Sequence, residues 1–141
     1  MDARIAFSPG AEDNPLAAWA CGRIRHNVRV SPAARSDFDA MRAAIALVAP
    51  DRQLQATLRF DHGYLTAHDG MVGIPDVTLC ADDGDLRALA DLPFWRGVPD
   101  LRAQSWREAM RELASGEVKI YGLVLRPRLV LRLLRILAPP T

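Results

Sequence analysis

The chain has 141 residues, the size of one ordinary domain and long enough to bury a core without disulfides or metals. Half of the residues are hydrophobic and a quarter are charged, which excludes a disordered chain, and no apolar run is long enough to cross a membrane. The first residues lack the layout of a signal peptide, and two cysteines are too few for a disulfide scaffold or a zinc ribbon. We therefore expect a cytoplasmic protein with reduced thiols.

The net charge of +1 hides an uneven distribution along the sequence. Residues 51–100 carry four arginines against nine aspartates, whereas residues 101–141 carry seven arginines and one lysine against three glutamates. A basic segment can face a membrane or a nucleic acid. Nucleic-acid binding also needs exposed aromatic side chains among the basic ones, and here the phenylalanines fall at apolar positions of the pattern. We expect no nucleic-acid partner.

The N-terminal third predicts two helices. Residues 1–13 predict a frayed N-terminus, and residues 15–28 have apolar side chains at helical spacing, with Asn14 as the N-cap. The Ser-Pro pair that ends at Pro32 repeats this signal and predicts a second helix through Ala43. The inward-facing residues of this second helix are predicted to be Phe38 and Met41.

The hydrophobic period then changes from 3.6 to 2 residues. Alternation over residues 44–49, 54–60, 64–68 and 77–81 predicts four short strands. The Asp-His-Gly sequence at 61–63 predicts a hairpin turn. Four successive strands joined by tight turns are typical of an antiparallel meander with one apolar and one polar face.

The C-terminal third mixes helices with one more strand. The predicted elements are a helix over 86–92, a loop over 93–104, a helix over 105–114, a strand over 117–121 and a helix over 128–137. A capping box of Ser105 and Glu108 opens the second of these helices, and Gly116 is predicted as its C-cap. The whole order predicts a two-layer α+β domain over residues 1–141, whose helices cover the single apolar face of the sheet.

No motif of the sequence points to catalysis. The two histidine–aspartate pairs that flank the hairpin, Asp61-His62 and His68-Asp69, form a conceivable metal site, but their spacing matches no known ligand pattern and favours turn and surface residues. Neither cysteine has a histidine or a second cysteine beside it. We therefore predict no enzyme activity, no catalytic residues, no metal and no cofactor.

Residues 123–137 are unusually rich in aliphatic side chains. Within this segment, the predicted helix over 128–137 carries Arg128, Arg132 and Arg135 on one narrow stripe, and its other positions are aliphatic. Such a helix is buried on several sides, lines a cavity, or lies on a bilayer with its arginines toward the headgroups.

Two separated stretches resemble the sterol carrier protein 2 family. Residues 106–122 and the leucine-rich helix after them resemble the end of the family domain, where a Ser-Gly-Lys-like turn and a leucine-lysine-isoleucine-x-glycine strand precede a last apolar helix. Residues 75–79 and 85–89 resemble the family's alanine-aspartate-valine-threonine-leucine strand and the acidic-capped helix that follows it. The resemblance spans residues 36–138, and Glu117 stands where the family has lysine.

The resemblance implies a five-stranded, mixed and mainly antiparallel sheet, with helices on one face and an apolar tunnel between the layers. It implies that a sterol, fatty acid, acyl-CoA or phospholipid is bound without being chemically changed. The final helix and the loop at Phe94 and Trp95 would form the gate, with Arg128, Arg132 and Arg135 meeting anionic headgroups. The expected lining residues are Phe38, Met41, Ile45, Leu47, Leu58, Phe60, Leu65, Val77, Leu79, Leu89, Phe94, Met110, Leu113, Ile120, Leu129, Leu133 and Ile136.

A second hypothesis is an accessory module with a filled core, because a filled core and an open tunnel produce the same periodicity. Some bacterial proteins that resemble the family assist isoprenoid-quinone biosynthesis by presenting an intermediate to enzymes. The expected partners are therefore a hydrophobic small molecule, a membrane surface contacted transiently, or a lipid or quinone enzyme. The N-terminal helices and the polar sheet face would contact such an enzyme, and the residues of the sheet face are Thr57, Arg59, Thr66, Thr78 and Tyr121.

Overall fold

A computed structural model describes residues 4–139 of the protein. It contains a six-stranded mixed sheet, a two-stranded hairpin and five α-helices. The strands are β1 (Arg4–Phe7), β2 (Arg42–Ala49), β3 (Leu54–Asp61), β4 (Tyr64–Asp69), β5 (Val77–Cys80), β6 (Phe94–Trp95), β7 (Val98–Pro99) and β8 (Lys119–Tyr121). The helices are α1 (Pro15–Val30), α2 (Pro32–Ala40), α3 (Asp83–Ala90), α4 (Gln104–Ser115) and α5 (Pro127–Leu137).

The first two helices begin at the predicted caps. The Asn14 side chain accepts hydrogen bonds from the backbone N–H groups of the first turn of α1, and Ser31 does the same for α2. These bonds satisfy donors that have no partner within the helix. The end of α2 was predicted wrongly, because Met41 is already extended (φ −80°, ψ 132°) and the next residue begins β2.

The sheet has the order β1-β4-β3-β2-β5-β8. Strands β2, β3 and β4 form the predicted antiparallel meander, but β5 does not extend it. Instead β5 pairs in parallel with β2, with Ile45 opposite Val77. The connection from β4 to β5 passes over the outer face of β3, where the Thr57 hydroxyl donates to the Gly70 carbonyl and accepts from the Val72 N–H. This crossover buries Thr57 on a face that was predicted to be open.

The N-terminal segment is ordered from Arg4 onward, contrary to the frayed start predicted for residues 1–13. Strand β1 pairs in parallel with β4, placing Ile5 opposite Leu65, and a 3-10 turn over Ala11–Asp13 leads into α1. With β1 at its edge, the sheet has six strands, whereas five were predicted. Residues 1–3 lie outside the described part of the chain.

The C-terminal elements differ from the predictions at their boundaries. The segment predicted as a loop over 93–104 contains the β6–β7 hairpin. The capping box is absent, because α4 begins one residue earlier, has no side-chain cap, and its Glu108 accepts from the Gln104 amide instead. Gly116, at φ 86°, is the C-cap as predicted.

The helices and the inward-facing strand residues form one hydrophobic core. Helix α1 packs against β3 and β4, whereas α5 packs against α1, α2 and α3. The sheet is therefore covered on the face that carries Ile45, Leu58 and Leu65, as the alternation predicts.

Candidate functional site

Most of the predicted tunnel lining lies in this core. The half-buried members pack against its edge; they are Leu113, Ile120 and Leu129. The buried members are Phe38, Met41, Ile45, Leu47, Leu58, Phe60, Leu65, Val77, Leu79, Leu89, Phe94, Leu133 and Ile136.

Met110 is the exception among the predicted lining residues, because 57% of it is exposed. Helix α4 contacts the core through a narrow stripe in which Trp106 is the buried residue, with Ala109 and Leu113 half-buried beside it. Met110 lies at the margin of this stripe and faces solvent. The prediction that it lines the interlayer space was wrong.

The space between the layers is filled in this structure. A gap large enough for one water molecule would leave accessible surface on the side chains around it. Ile45, Leu58 and Leu133 have none, and Phe38 and Phe60 are 1% exposed and meet edge to face at 6.1 Å. The sequence left open whether these side chains enclose a tunnel or pack together, and here they pack together.

Two cavities that are open to solvent border α5 in the described part of the chain. One, of about 470 Å³, lies at its N-terminal end and is lined by Met41 from the end of α2 and by Leu129 and Arg132 of α5. The other, of about 240 Å³, lies at its C-terminal end beside Phe94. Unlike the packed center of the core, the margins of α5 therefore have free volume.

The three predicted headgroup arginines have different surroundings. Arg135 donates two hydrogen bonds to the Asp37 carboxylate, at 2.9 and 2.8 Å, and a third at 3.2 Å to the Gly97 carbonyl. Arg132 lies 3.9 Å from the same carboxylate. Arg128 is exposed and has no ion-pair partner among residues 4–139. Asp37 thus fastens α5 to α2, a role that no local pattern in the sequence indicates.

An exposed apolar loop precedes α5. Val124 is 92% exposed and Leu125 is 85% exposed, although their aliphatic neighbourhood in the sequence is typical of a core. Arg126 and Arg128 follow directly, and Arg126 lies 3.5 Å from the Asp76 carboxylate. We call residues 123–125 the apolar loop. Sequence reasoning missed it because exposure depends on what the rest of the fold covers.

The predicted gate residues separate into a buried and an exposed member. Phe94 is 9% exposed and packs edge to face on Trp106, with ring centroids 5.5 Å apart. The Trp106 indole N–H donates to the Pro93 carbonyl at 2.6 Å. Trp95 is 61% exposed, and the guanidinium of Arg96 lies over its ring. Phe94 is therefore part of the core, and Trp95 lies on the surface.

Three titratable groups within residues 4–139 have pKa values shifted by their surroundings, and they are Cys21, Asp85 and Glu112. No three His, Cys, Asp or Glu side chains within the described range come together to hold a metal ion. Burial raises the pKa of the Cys21 thiol to about 11, so this thiol stays protonated and unreactive at neutral pH. Desolvation raises the pKa values of Asp85 and Glu112, and neighbouring carboxylates add to the effect. These two groups lie close to each other and to Glu117.

No family model and no curated protein matches the sequence. Solved structures do match the fold. The chain resembles a protein titled UbiJ-SCP2 Ubiquinone synthesis protein at 20% identity and a TM-score of 0.56, covering 87% of this chain and 94% of that one. It resembles sterol carrier protein 2 at 16% identity and a TM-score of 0.51, covering 85% and 93%.

A third match is to the stereoselective inverting sec-alkylsulfatase Pisa1 from Pseudomonas sp., at 18% identity and a TM-score of 0.51. It covers 75% of this chain but 14% of the sulfatase. The two-layer α+β architecture around an apolar core defines the class of fold. This chain has the fold of sterol carrier protein 2 domains, which confirms the resemblance seen in the sequence.

Proposed function

We propose that the protein binds a hydrophobic ligand between the sheet and the helices and does not change it chemically. The ligand would be a sterol, a fatty acid, an acyl-CoA or a phospholipid. The observation that carries this proposal is the position of Met41 and Leu129, which contact the interlayer core and also line the cavity at the start of α5. An acyl chain entering beside α5 would pass the arginines that also line this cavity and would then meet Leu129 and Met41.

Ligand entry requires α5 to move, because the interlayer space is filled when α5 is in place. Helix α5 packs on other helices and makes no strand pairing, so it can shift without breaking the sheet. Burying each CH₂ group contributes about 0.8 kcal/mol, so a chain of about ten carbons supplies roughly 8 kcal/mol to offset the lost packing. Flexible Met41 suits a wall that has to adapt to the ligand.

The apolar loop is the proposed contact with a membrane surface. Val124 and Leu125 are exposed beside Arg128, which is free to meet an anionic headgroup, whereas Arg132 and Arg135 are engaged by Asp37. Aliphatic side chains next to a cation match an anionic bilayer, which buries the former and attracts the latter. This arrangement would bring the start of α5 to the lipid source.

A second candidate function is an accessory role with a filled core, in which the domain presents a quinone intermediate to a partner enzyme. Two observations favour it: the interlayer packing, and the likeness to the structure titled UbiJ-SCP2 Ubiquinone synthesis protein. The proposed enzyme contact is the outer sheet face. The residues of this surface are Arg59, Thr66, Thr78 and Tyr121. Thr57 is not among them, because the connection from β4 to β5 covers it.

Native mass spectrometry after incubation with mixed lipid vesicles tests the first function. We expect a discrete added mass that extracts as one lipid class. Leu129→Asp should reduce loading at least tenfold, because it places a charge on the entry path. Leu131→Asp on the exposed side of the same helix is the matched control and should load normally.

An unchanged mass of the wild-type protein after incubation would contradict ligand binding and favour the accessory role. Equal loading of the Leu129→Asp and Leu131→Asp variants would contradict the entry path beside α5.

A further inference from the structure

The cavity at the start of α5 carries more positive charge than an apolar ligand path requires. It lies between the junction of α2 with β2 and the first turns of α5. Of the described residues, four arginines and no carboxylate line it, and the arginines are Arg42, Arg126, Arg128 and Arg132. Arg128 and Arg132 are one helical turn apart on the same face of α5, and Arg42 is the first residue of β2. The fold therefore brings basic residues from two distant parts of the sequence to one cavity.

Two of the four arginines have no counter-charge. Arg42 and Arg128 are exposed, and neither has an ion-pair partner among residues 4–139. Arg42 also borders a neighbouring depression lined by Asp61 and Asp76, but it forms an ion pair with neither of these residues. Both guanidinium groups are therefore available to an anion from solution.

The other two arginines are paired loosely. Arg126 lies 3.5 Å from the Asp76 carboxylate, and Arg132 lies 3.9 Å from the Asp37 carboxylate. Arg135 holds Asp37 more closely, at 2.8 Å. The side chains of Arg126 and Arg132 remain 55% and 40% exposed. Positive charge is therefore in excess around the cavity, and the side chains that carry it are accessible to a ligand.

This excess favours a headgroup with more than one negative charge. A phosphate monoester carries nearly two negative charges at neutral pH and has three acceptor oxygens, and the planar guanidinium of arginine can donate to two of them at once. A carboxylate carries one charge, which leaves more of the repulsion among the arginines in place. A hydroxyl group carries none, and a choline headgroup adds a cation next to the arginines.

We propose that this cavity binds the terminal phosphate or diphosphate of an amphiphile whose apolar chain continues into the core. The inference rests on the proposed function, because Met41 and Leu129 line the cavity and also contact the interlayer core that would receive the chain. It narrows the ligand to lipids that end in a phosphate group. Sterols, free fatty acids and choline phospholipids are then disfavoured.

Calorimetric titration at pH 8 with decyl phosphate, decanoate and 1-decanol tests the headgroup, because the three probes have the same chain length. We expect the wild-type protein to bind decyl phosphate at least tenfold more tightly than either of the others. Arg42→Gln and Arg128→Gln should each reduce that preference at least threefold by removing an unpaired charge. Both variants should keep the wild-type affinity for the neutral 1-decanol, which shows that they fold. The matched control is Arg25→Gln, because Arg25 is an exposed arginine of α1 that does not line the cavity.

Equal affinities of the wild-type protein for decyl phosphate and decanoate would overturn the phosphate site and leave hydrophobic binding standing. A preference that survives in both Arg42→Gln and Arg128→Gln, or that falls equally in Arg25→Gln, would overturn its placement in this cavity. Binding of none of the three probes would overturn the proposed function itself. Inorganic phosphate, which has the charge and no chain, separates a lipid headgroup from a free phosphate. We expect it to bind at least tenfold more weakly than decyl phosphate, and equal binding would overturn the lipid assignment.

Discussion

Gly122 ends β8 at a point where two backbone segments approach closely. Its φ is 90°, a conformation that side chains other than glycine rarely adopt. A Cβ atom at this position would lie 2.4 Å from the Asp76 carbonyl oxygen and 3.4 Å from Val77. Both neighbours belong to the start of β5, so Gly122 lets the edge strand and the last turn before α5 come together. The glycine of the family-like strand motif therefore has a structural role here.

Gly122→Ala should lower the free energy of unfolding by about 3 kcal/mol, because it combines a strained φ with a backbone clash. Chemical denaturation followed by circular dichroism measures the change. The control is Gly22→Ala in α1, where a Cβ meets nothing within 4 Å. That substitution should raise stability by about 0.5–1 kcal/mol, as alanine favours a helix over glycine. If Gly122→Ala lowers the free energy of unfolding by less than about 0.5 kcal/mol, as an ordinary surface substitution does, the close approach of the two backbone segments is contradicted.

At the scale of single elements, α5 is held by a few polar contacts at its margins and by apolar packing beneath. Asp37 of α2 engages Arg135 closely and Arg132 more loosely. Asp37 is 16% exposed at its side chain, so these ion pairs are better shielded than surface pairs. Asn27 of α1 ties down the last turn of α5 through two carbonyls. These contacts hold α5 against α1 and α2.

Asp37→Asn should loosen α5 and raise the rate of lipid uptake several-fold. It should also lower stability by about 1–3 kcal/mol, because two arginines lose their counter-charge. Stopped-flow fluorescence with a fluorescent fatty acid and thermal denaturation measure the two effects. Asp39→Asn in the same helix, whose carboxylate bonds Arg35 within α2, is the matched control. Uptake in Asp37→Asn no faster than in Asp39→Asn would argue against α5 as the moving element.

At the scale of the whole molecule, charge and exposed apolar surface are unevenly placed. The basic C-terminal segment supplies Arg126 and Arg128 beside the apolar loop, whereas the acidic middle segment supplies Asp82 and Asp85 near Glu117. An anionic bilayer attracts the first surface and repels the second. The protein is therefore expected to approach a bilayer with the start of α5 leading. No helix within residues 4–139 is long and apolar enough to cross a membrane.

Replacing both Val124 and Leu125 by serine should weaken co-sedimentation with anionic vesicles at least tenfold, since burying even one aliphatic side chain contributes about 1.5–3 kcal/mol and a factor of ten corresponds to about 1.4 kcal/mol. Stability should not change, because both side chains are exposed in the folded protein. Met71→Ser is the control: Met71 is 48% exposed and follows Gly70, whose N–H donates to the Gln55 carbonyl at the end of β3 opposite Asp61 and Asp76. Equal losses in the two variants would show that any exposed aliphatic residue serves, and would count against the loop.

Features that depend on neighbours within a few residues were predictable from the sequence. The caps at Asn14, Ser31 and Gly116 use bonds across one turn, and each is present. The hairpin at 61–63 follows the same logic, with positive φ at His62 and Gly63. The three-strand meander also follows, because tight turns leave antiparallel pairing as the short solution.

Features that depend on distant partners were not predictable in the same way. The alternation in Val77 and Leu79 indicates a strand but not its neighbour, and the crossover over β3 decides that neighbour. Strand β1 is four residues long, too short for a periodic signal, and exists because the edge of β4 is available to pair with it. The exposure of Met110 follows from how little of α4 the rest of the fold covers.

The sequence by itself determined the α+β class, the apolar inner face of the sheet and an aliphatic last helix with an arginine stripe. The tertiary structure alone decided that the interlayer side chains fill their space, that Asp37 engages two of the three arginines, and that Asn27 donates to two carbonyls at the end of α5. The reason is that periodicity reports which side of an element is apolar, whereas packing and pairing depend on side chains that separate elements bring to one place.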